Sequence, residues 1–180
     1  MPQKPEILQA QLIARTRIFR VEEVMLKFSN GTERTYERLL SRHPAVIVVP
    51  LLDNDHLLMI REYAVGVEGY ELTLPKGLVD EGETILEAAQ RELREETGYA
   101  ARQLTFVRDV TVAPGYMTHH TAIVLAQDLY ASPLEGDEPE KMEILSWPLA
   151  QLTELLEQPD FTEGRTLAAL WLALRYLGKD

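Results

Sequence analysis

The sequence has no cysteine, no excess of basic residues and no hydrophobic run long enough to cross a membrane. The absence of cysteine excludes disulfide bonds, thiolate zinc sites and thiol nucleophiles. The 29 Asp and Glu residues outnumber the 18 Lys and Arg residues, and the formal net charge is −11. A chain this acidic has no general attraction for a long nucleic acid or an anionic lipid surface. No membrane association is therefore expected.

The apolar segments of the sequence also bear on the expected location of the protein. The longest apolar run, 45–52, is far below the roughly 18 residues that suggest a membrane span. The first residues, beginning Met1-Pro2-Gln3, lack the apolar stretch of a signal peptide. These features predict a cytoplasmic protein.

The overall composition is typical of a globular protein, with 46% hydrophobic and 26% charged residues. A length of 180 residues predicts one main domain, which we place at 41–180 behind a small β element at 1–40. In that element Val24–Phe28 alternates as a strand, Asn30-Gly31 predicts a turn with positive φ at both positions, and Glu33–Leu39 returns. The exposed edges of this hairpin predict that the chain forms a homodimer.

The rest of the chain alternates between strand and helix patterns, which favours mixed sheets with helices packed on their faces. Residues 45–52 are continuously apolar and predict a strand buried on both faces. The other predicted elements are strands at 56–63, 70–74, 104–112, 121–129 and 144–147, a loop at 76–82, a helix at 84–97 ending before Gly98, a helix with Pro148 in its first turn, and a last helix capped by Thr162.

The helix predicted at 84–97 carries more acid near its end than a helix favours. Glu92 is three residues from Glu95 and four from Glu96, so all three can project to one side, and like charges at this spacing cost about 0.2–0.5 kcal/mol per pair. The helix dipole disfavours each by roughly a further 0.3–1 kcal/mol. One explanation is a solvated face with ion pairs such as Arg91–Glu95. The other is a site for a divalent cation, which prefers carboxylate oxygens.

The spacing of this segment favours the cation site. Its fixed residues follow the pattern Gly-x5-Glu-x7-Arg-Glu-apolar-x-Glu-Glu-x-Gly, at Gly77, Glu83, Arg91, Glu92, Leu93, Glu95, Glu96 and Gly98. This pattern resembles the motif of the Nudix hydrolase family, and Tyr99 in the following apolar position is the one soft departure. The resemblance implies an α/β fold, the Nudix α/β/α sandwich with mixed β-sheets, in which the motif forms a loop, a helix and a loop. It also implies an active pyrophosphohydrolase.

The resemblance assigns the metal ligands. Glu92 and Glu96 match the two glutamates that usually hold the metal, and Glu95 matches one that contributes to a further metal or to water activation. The main-chain carbonyl of Lys76 matches a frequent metal ligand. The implied cofactor is Mg²⁺, with Mn²⁺ as the alternative.

The other motif residues support these ligands. Arg91 matches the arginine that orients the glutamates, and Glu83 matches a residue that supports the cluster. Gly77 lets the backbone approach the metal closely.

A carboxylate-held Mg²⁺ suits the hydrolysis of a diphosphate, because metal ions neutralise phosphate charge and lower the pKa of bound water. The predicted reaction is attack of water on a diphosphate linkage, giving two phosphate monoesters. A nucleotide-sensing module on the same fold is the alternative class. Such modules typically lose motif carboxylates, whereas this chain keeps Glu92, Glu95 and Glu96.

Further segments resemble the ADP-ribose pyrophosphatase branch of the family, namely Arg61-Glu62-Tyr63, Tyr70-Glu71-Leu72, Pro75-Lys76-Gly77 and Ala113-Pro114-Gly115-Tyr116. With the acidic segment 134–140 they are most similar to the bacterial NudE-type ADP-compounds hydrolases. This implies small nucleotide substrates such as ADP-ribose, NADH and diadenosine polyphosphates, with AMP as a common product. Sugar nucleotides, coenzyme A and capped RNA are the alternative substrates.

Gly77 of the motif and four residues outside it are candidates for substrate binding. Arg61 and Arg38 could each bind phosphate, the latter in its own or a neighbouring subunit's site, and a surface salt bridge is the alternative for each of them. Tyr116 could stack on adenine or pack in the core. Glu71 is the fourth candidate, from the segment that resembles the ADP-ribose branch.

The acidic loop offers the candidates for a catalytic base. Related hydrolases often bring a glutamate from a mobile loop as base or extra ligand, and Glu138 and Glu140 are in the right segment. A solvated acidic loop is the alternative.

Overall fold

The structure is a computed structural model that describes residues 3–136 and 139–179. It divides into two compact units, one formed by 1–44 and 111–120 and the other by 45–110 and 121–180. No helix in the described part of the chain is long and apolar enough to span a membrane.

The N-terminal unit is an antiparallel sheet in the order β1-β2-β3, made of Glu6–Arg15, Arg20–Lys27 and Glu33–Leu39. The predicted hairpin is β2 and β3. The sequence prediction missed β1, whose apolar residues come in adjacent pairs rather than in alternation. The predicted turn geometry was wrong in part, because Gly31 has φ +83° while Asn30 does not have a positive φ. The side chain of Asn30 instead accepts from the N–H of Thr32 at 3.0 Å.

The second unit contains two sheets. The mixed four-stranded sheet has the order β7-β4-β9-β8, from Lys76–Leu78, Ala45–Pro50, His120–Ala131 and Tyr99–Thr111. The three-stranded sheet has the order β10-β5-β6, from Glu143–Pro148, His56–Ala64 and Gly69–Thr73. The α-helices among the described residues of this unit are α1 (Ile85–Thr97), α2 (Leu152–Leu155) and α3 (Gly164–Tyr176).

Two apolar layers hold the second unit together, one on each face of β4. Val48 packs with Ala89 and Leu93 of α1, and Val46 packs with Ala88 of the same helix. Ile47 and Val49 face a larger core that includes residues of β5, β9 and α3. Every residue of β4 is buried, so the predicted two-sided burial is confirmed, and the layers form the expected α/β sandwich.

Three local predictions in this unit were wrong. Pro148 ends β10, and only a 3-10 turn at 149–151 and the single turn of α2 follow it. The N-cap of α3 is Glu163 rather than Thr162, because the hydroxyl of Thr162 donates to Glu71 instead. The segment predicted as a loop at 76–82 contains the three-residue strand β7, which pairs with β4.

Candidate active site

Local capping fixes the ends of α1, the helix that carries the acidic motif. Thr84 and Glu87 form a capping box, in which the Thr84 hydroxyl accepts from the N–H of Glu87 and the Glu87 carboxylate accepts from the N–H of Thr84. Gly98 ends the helix at φ +76°, and its N–H donates to the carbonyl of Arg94 at 3.0 Å. These two caps set which residues of the motif face the sheet.

Arg91 connects three of the motif glutamates. Its guanidinium donates to both oxygens of Glu83 at 3.0 Å, to Glu92 at 2.8 Å and to Glu95 at 3.0 Å. A fifth hydrogen bond, at 2.8 Å, reaches the carbonyl of Leu78. The Arg91 guanidinium holds the pKa of Glu83 below its usual range. The repulsion expected on this helix is therefore offset, and the predicted ion pair Arg91–Glu95 is present.

Glu92 and Glu96 are the two buried carboxylates of the motif, with 8% and 7% of their surface exposed. Burial raises the pKa of Glu92, although the hydrogen bond from Arg91 opposes it. Burial raises the pKa of Glu96 to about 9, against the opposing charge and main-chain N–H of Lys76. A buried carboxylate stays charged only where a nearby positive charge compensates it. Within the described part of the chain, the hydrogen-bond donor to Glu96 is the N–H of Lys76, at 3.0 Å.

The strand β7 brings the main chain close to these carboxylates. A Cβ added at Gly77 would lie 2.0 Å from Oε1 of Glu92 and 2.5 Å from its Oε2, so only glycine leaves room for this carboxylate. The N–H of Val48 donates to the carbonyl of Pro75, so in the alternating antiparallel pattern the next pair, Ile47 and Lys76, is not hydrogen-bonded. Both main-chain groups of Lys76 therefore point off the sheet edge, where its N–H meets Glu96.

These donors fit a hard divalent cation. Mg²⁺ prefers oxygen ligands. The site offers two buried carboxylates, a third glutamate one residue away, and a main-chain carbonyl directed to the same side. Among residues 3–136 and 139–179, no three Asp, Glu or His side chains are already gathered into a metal cage. This agrees with the ion pairs of Arg91, which direct Glu92 and Glu95 towards the guanidinium.

A cavity of about 550 Å³ lies beside the buried carboxylates. Its lining includes Glu92, Glu95 and Glu96 from α1, and Gly136 and Glu140 from the acidic loop. A Cβ added at Gly136 would lie 3.3 Å from the Cβ of Glu95, so this loop passes close to the helix. Of the two base candidates, Glu140 therefore borders the cavity, while Glu138 lies outside the described residues.

The candidate substrate residues of the second unit have protein partners. Arg61 donates to Asp160 at 2.8 Å and also pairs with Glu143, which is the salt-bridge alternative considered for it. Glu71 accepts from the main-chain N–H and the hydroxyl of Thr162.

The other two substrate candidates belong to the N-terminal unit. Arg38 pairs with Glu22 at 2.6 Å. Tyr116 is 57% exposed, so of its two alternatives packing in the core does not apply. Its carbonyl accepts from the N–H of Leu39 at 2.7 Å, which places it next to the strand that carries Arg38.

Two polar residues near the site received no role in the sequence prediction. Tyr70 donates its hydroxyl to Glu140 at 2.6 Å, and Glu62 accepts from the ammonium of Lys76. Both residues occur in segments that resembled the ADP-ribose branch, but their partners are 70 and 14 residues away in sequence. No short-range pattern could have identified these pairs.

Comparison with known proteins gives consistent matches over nearly the whole chain. Residues 41–170 match the NUDIX domain model, and residues 5–38 match the model of the NudE-type Nudix hydrolase N-terminal domain. The chain is 52% identical to the ADP compounds hydrolase NudE of Escherichia coli, over 97% of this chain and 94% of that protein. It is 30% identical to the ADP-ribose pyrophosphatase of Bacillus subtilis, over 91% of each. A crystal structure of an ADP compounds hydrolase superposes with a TM-score of 0.92 at 50% identity, covering 100% of this chain and 99% of that one.

Proposed function

Since this chain belongs to the Nudix hydrolase family, we propose that it hydrolyses the diphosphate linkage of ADP-containing compounds. The substrates are of the class of ADP-ribose, NADH and diadenosine polyphosphates, and the products are AMP and a second phosphate monoester. The observation that carries this proposal is the complete carboxylate motif beside a cavity, in a chain 52% identical to a relative named ADP compounds hydrolase.

The proposed cofactor is a divalent cation, Mg²⁺ or Mn²⁺. Glu92, Glu96 and the main-chain carbonyl of Lys76 would hold it, with Glu95 as a further ligand. When bound, such a cation neutralises the charge of the diphosphate and activates water for attack.

The protein groups around this site have separate tasks. The N–H of Lys76 orients the Glu96 carboxylate, and Arg91 orients Glu95 and Glu92 while Glu83 holds Arg91 in place. The cavity beside α1 is the proposed seat of the diphosphate. We assign Glu140, which borders that cavity, as a candidate base that takes the proton of the attacking water; Glu138 remains the other candidate.

The roles of the substrate residues are also proposals. Tyr116, with its exposed ring, would stack on adenine, and Arg38 would bind phosphate in its own or a partner's site. Arg61 would bind phosphate only after leaving Asp160 or Glu143. Glu71 would contact substrate only after leaving Thr162.

The proposed setting is a cytoplasmic homodimer. The strand β1 is exposed along all ten of its residues and forms an edge of its sheet. An exposed edge of this length favours pairing with another chain.

A substrate panel tests the proposed function. The purified protein is incubated with Mg²⁺ and, separately, with ADP-ribose, NADH, diadenosine tetraphosphate, coenzyme A, a sugar nucleotide and capped RNA, and AMP and the other cleavage products are separated and measured. We expect AMP from the first three, and loss of activity with a chelator. Cleavage of coenzyme A or capped RNA without AMP from ADP-ribose or NADH would overturn the substrate class.

A further inference from the structure

One partly buried ion pair connects the strand β7 to the other sheet. The ammonium of Lys76 donates to the carboxylate of Glu62 on β5, and the two side chains are only 12% and 24% exposed. Successive side chains of a strand point to opposite faces, so Lys76 reaches towards β5 while Gly77 faces Glu92. The catalytic roles proposed above use the main chain of Lys76 and leave its side chain without a task.

Apart from this ion pair, a few main-chain contacts hold this part of the chain, from Val48 to Pro75, from Lys76 to Glu96 and from Arg91 to Leu78. The strand β7 has three residues, lies at the edge of its sheet and pairs with β4. A cavity of about 270 Å³ on the β5 side is lined by Glu62 and Lys76 together with Glu163 and Arg165. The Lys76 side chain therefore borders open space, and the described contact that fixes its ammonium group is the ion pair with Glu62.

We propose that the Glu62–Lys76 ion pair is a positioning pair for the metal site. It anchors β7 so that the N–H of Lys76 stays on Glu96 and its carbonyl stays directed to the same side. This inference rests on the proposed function, because it assigns to Glu62 the task of supporting a main-chain ligand of the proposed cation. Outer groups that orient ligands typically change metal affinity about 10- to 100-fold when removed.

Mn²⁺ binding without substrate tests the pair. Free Mn²⁺ is measured by electron paramagnetic resonance in titrations of wild type, Glu62→Gln, Lys76→Met and the double variant. We expect the Kd for Mn²⁺ to rise about tenfold in each single variant and no further in the double variant, because the two residues act as a unit. The Mn²⁺ concentration for half-maximal activity should move in parallel, with kcat at saturating Mn²⁺ and KM for ADP-ribose changed less than about threefold.

Two further variants separate positioning from stability. Lys76→Arg keeps a cation opposite Glu62 and should retain affinity. Arg165→Met breaks the Arg165–Glu163 pair, whose side chains are similarly exposed at 26% and 20%, and should lower stability without changing Mn²⁺ affinity. Where a single variant does not fold, the double variant decides, since it leaves neither charge of the pair behind.

The outcomes distinguish this inference from the proposed function. Affinity within about twofold of wild type in the folded variants, or an equal loss in Arg165→Met, would show that the pair only stabilises the fold. Wild type that neither binds Mn²⁺ nor cleaves ADP-ribose would overturn the proposed function itself.

Discussion

The Glu92 carboxylate occupies the space that a side chain at position 77 would need. Gly77 is therefore part of the proposed metal site. A Cβ at position 77 would lie within 2.5 Å of three atoms of the Glu92 carboxyl group. These atoms are the far end of a side chain, so they can move without a large change in the backbone. The cost of a methyl group here should therefore appear in metal binding more than in folding.

We predict that Gly77→Ala reduces turnover at least about tenfold and weakens Mn²⁺ binding, while the free energy of unfolding of the metal-free protein changes by less than about 1 kcal/mol. Steady-state kinetics, Mn²⁺ titration and urea unfolding measure the three quantities. The matched control is Gly66→Ala, because nothing lies within 4 Å of a Cβ there. A large loss of stability with unchanged Mn²⁺ affinity would show that Gly77 has a role in folding alone.

The second residue-scale prediction concerns Glu96, a carboxylate whose charge is disfavoured by burial. Glu96→Gln should reduce turnover at least about a hundredfold and leave the metal-free protein as stable as wild type or about 1 kcal/mol more stable. Glutamine still accepts from the N–H of Lys76 and removes the buried charge. Kinetics and urea unfolding in chelator provide the measurement.

The control for this prediction lies on the same helix. Glu87→Gln should change neither quantity appreciably, because glutamine also serves in a capping box. A marked loss of metal-free stability in Glu96→Gln would indicate that Glu96 is a structural residue.

The sequence identified the motif residues because their roles depend on short spacings. Helical spacing predicts that Glu92, Glu95 and Glu96 share one side, and the structure shows Arg91 in contact with the first two. The partners of Arg61 were not predictable, since Asp160 is 99 residues away.

At the scale of elements, interactions between residues close in sequence made α1 predictable, whereas interactions between distant residues determine the elements that the sequence did not predict. The bounds of α1 were predictable because its caps, Thr84 and Gly98, act on groups within four residues. The strand β7 has no periodicity to detect in three residues, and it exists because β4 offers it a partner. The start of α3 was misplaced by one residue, because Glu71, on a strand far away in sequence, binds the hydroxyl of Thr162.

The N-terminus of α3 is held to β6 by Glu163, which supplies a pH-dependent prediction. Its carboxylate accepts from Thr166 at 2.6 Å and from Thr73 at 3.0 Å. Burial alone would raise the pKa of Glu163, but the hydrogen bond from Thr166 and the charges of Arg165 and Lys76 bring it below its usual value. A group with a lowered folded-state pKa stabilises the protein above its unfolded pKa, about 4.3 for Glu, and loses this contribution as pH falls through the folded pKa.

We predict that Glu163→Gln lowers the free energy of unfolding at pH 7 by about 1–2 kcal/mol, and that this difference shrinks as pH falls below about 4.5. Urea unfolding across this pH range measures it. The exposed Glu157→Gln should stay within about 0.5 kcal/mol of wild type throughout. A difference that is constant with pH would show that the carboxylate charge of Glu163 does not contribute.

At the scale of the whole molecule, the family and the sandwich fold were predictable from sequence and are confirmed. The arrangement of the N-terminal sheet was only partly predictable, because β1 shows no alternation that would reveal which face is buried. The structure explains this pattern: β1 is exposed on both faces, and its large apolar residues Ile7, Leu8, Leu12 and Ile13 are each 42–50% exposed. A strand that is apolar on both faces gains stability only when another surface covers it.

A second copy of the chain is the partner that we expect on β1. Sedimentation should therefore give a dimer at micromolar concentration, and the double variant Leu8→Glu/Leu12→Glu should shift it towards monomer, because two charges would be buried in the contact. The matched control is Gln9→Glu/Gln11→Glu, which adds the same charge to the same strand at positions that are already polar. Monomeric wild type would contradict the prediction directly. If both double variants dissociated the dimer equally, the added negative charge would be the cause. A contact made by the apolar side chains should be weakened by the changes at Leu8 and Leu12 and not by those at Gln9 and Gln11.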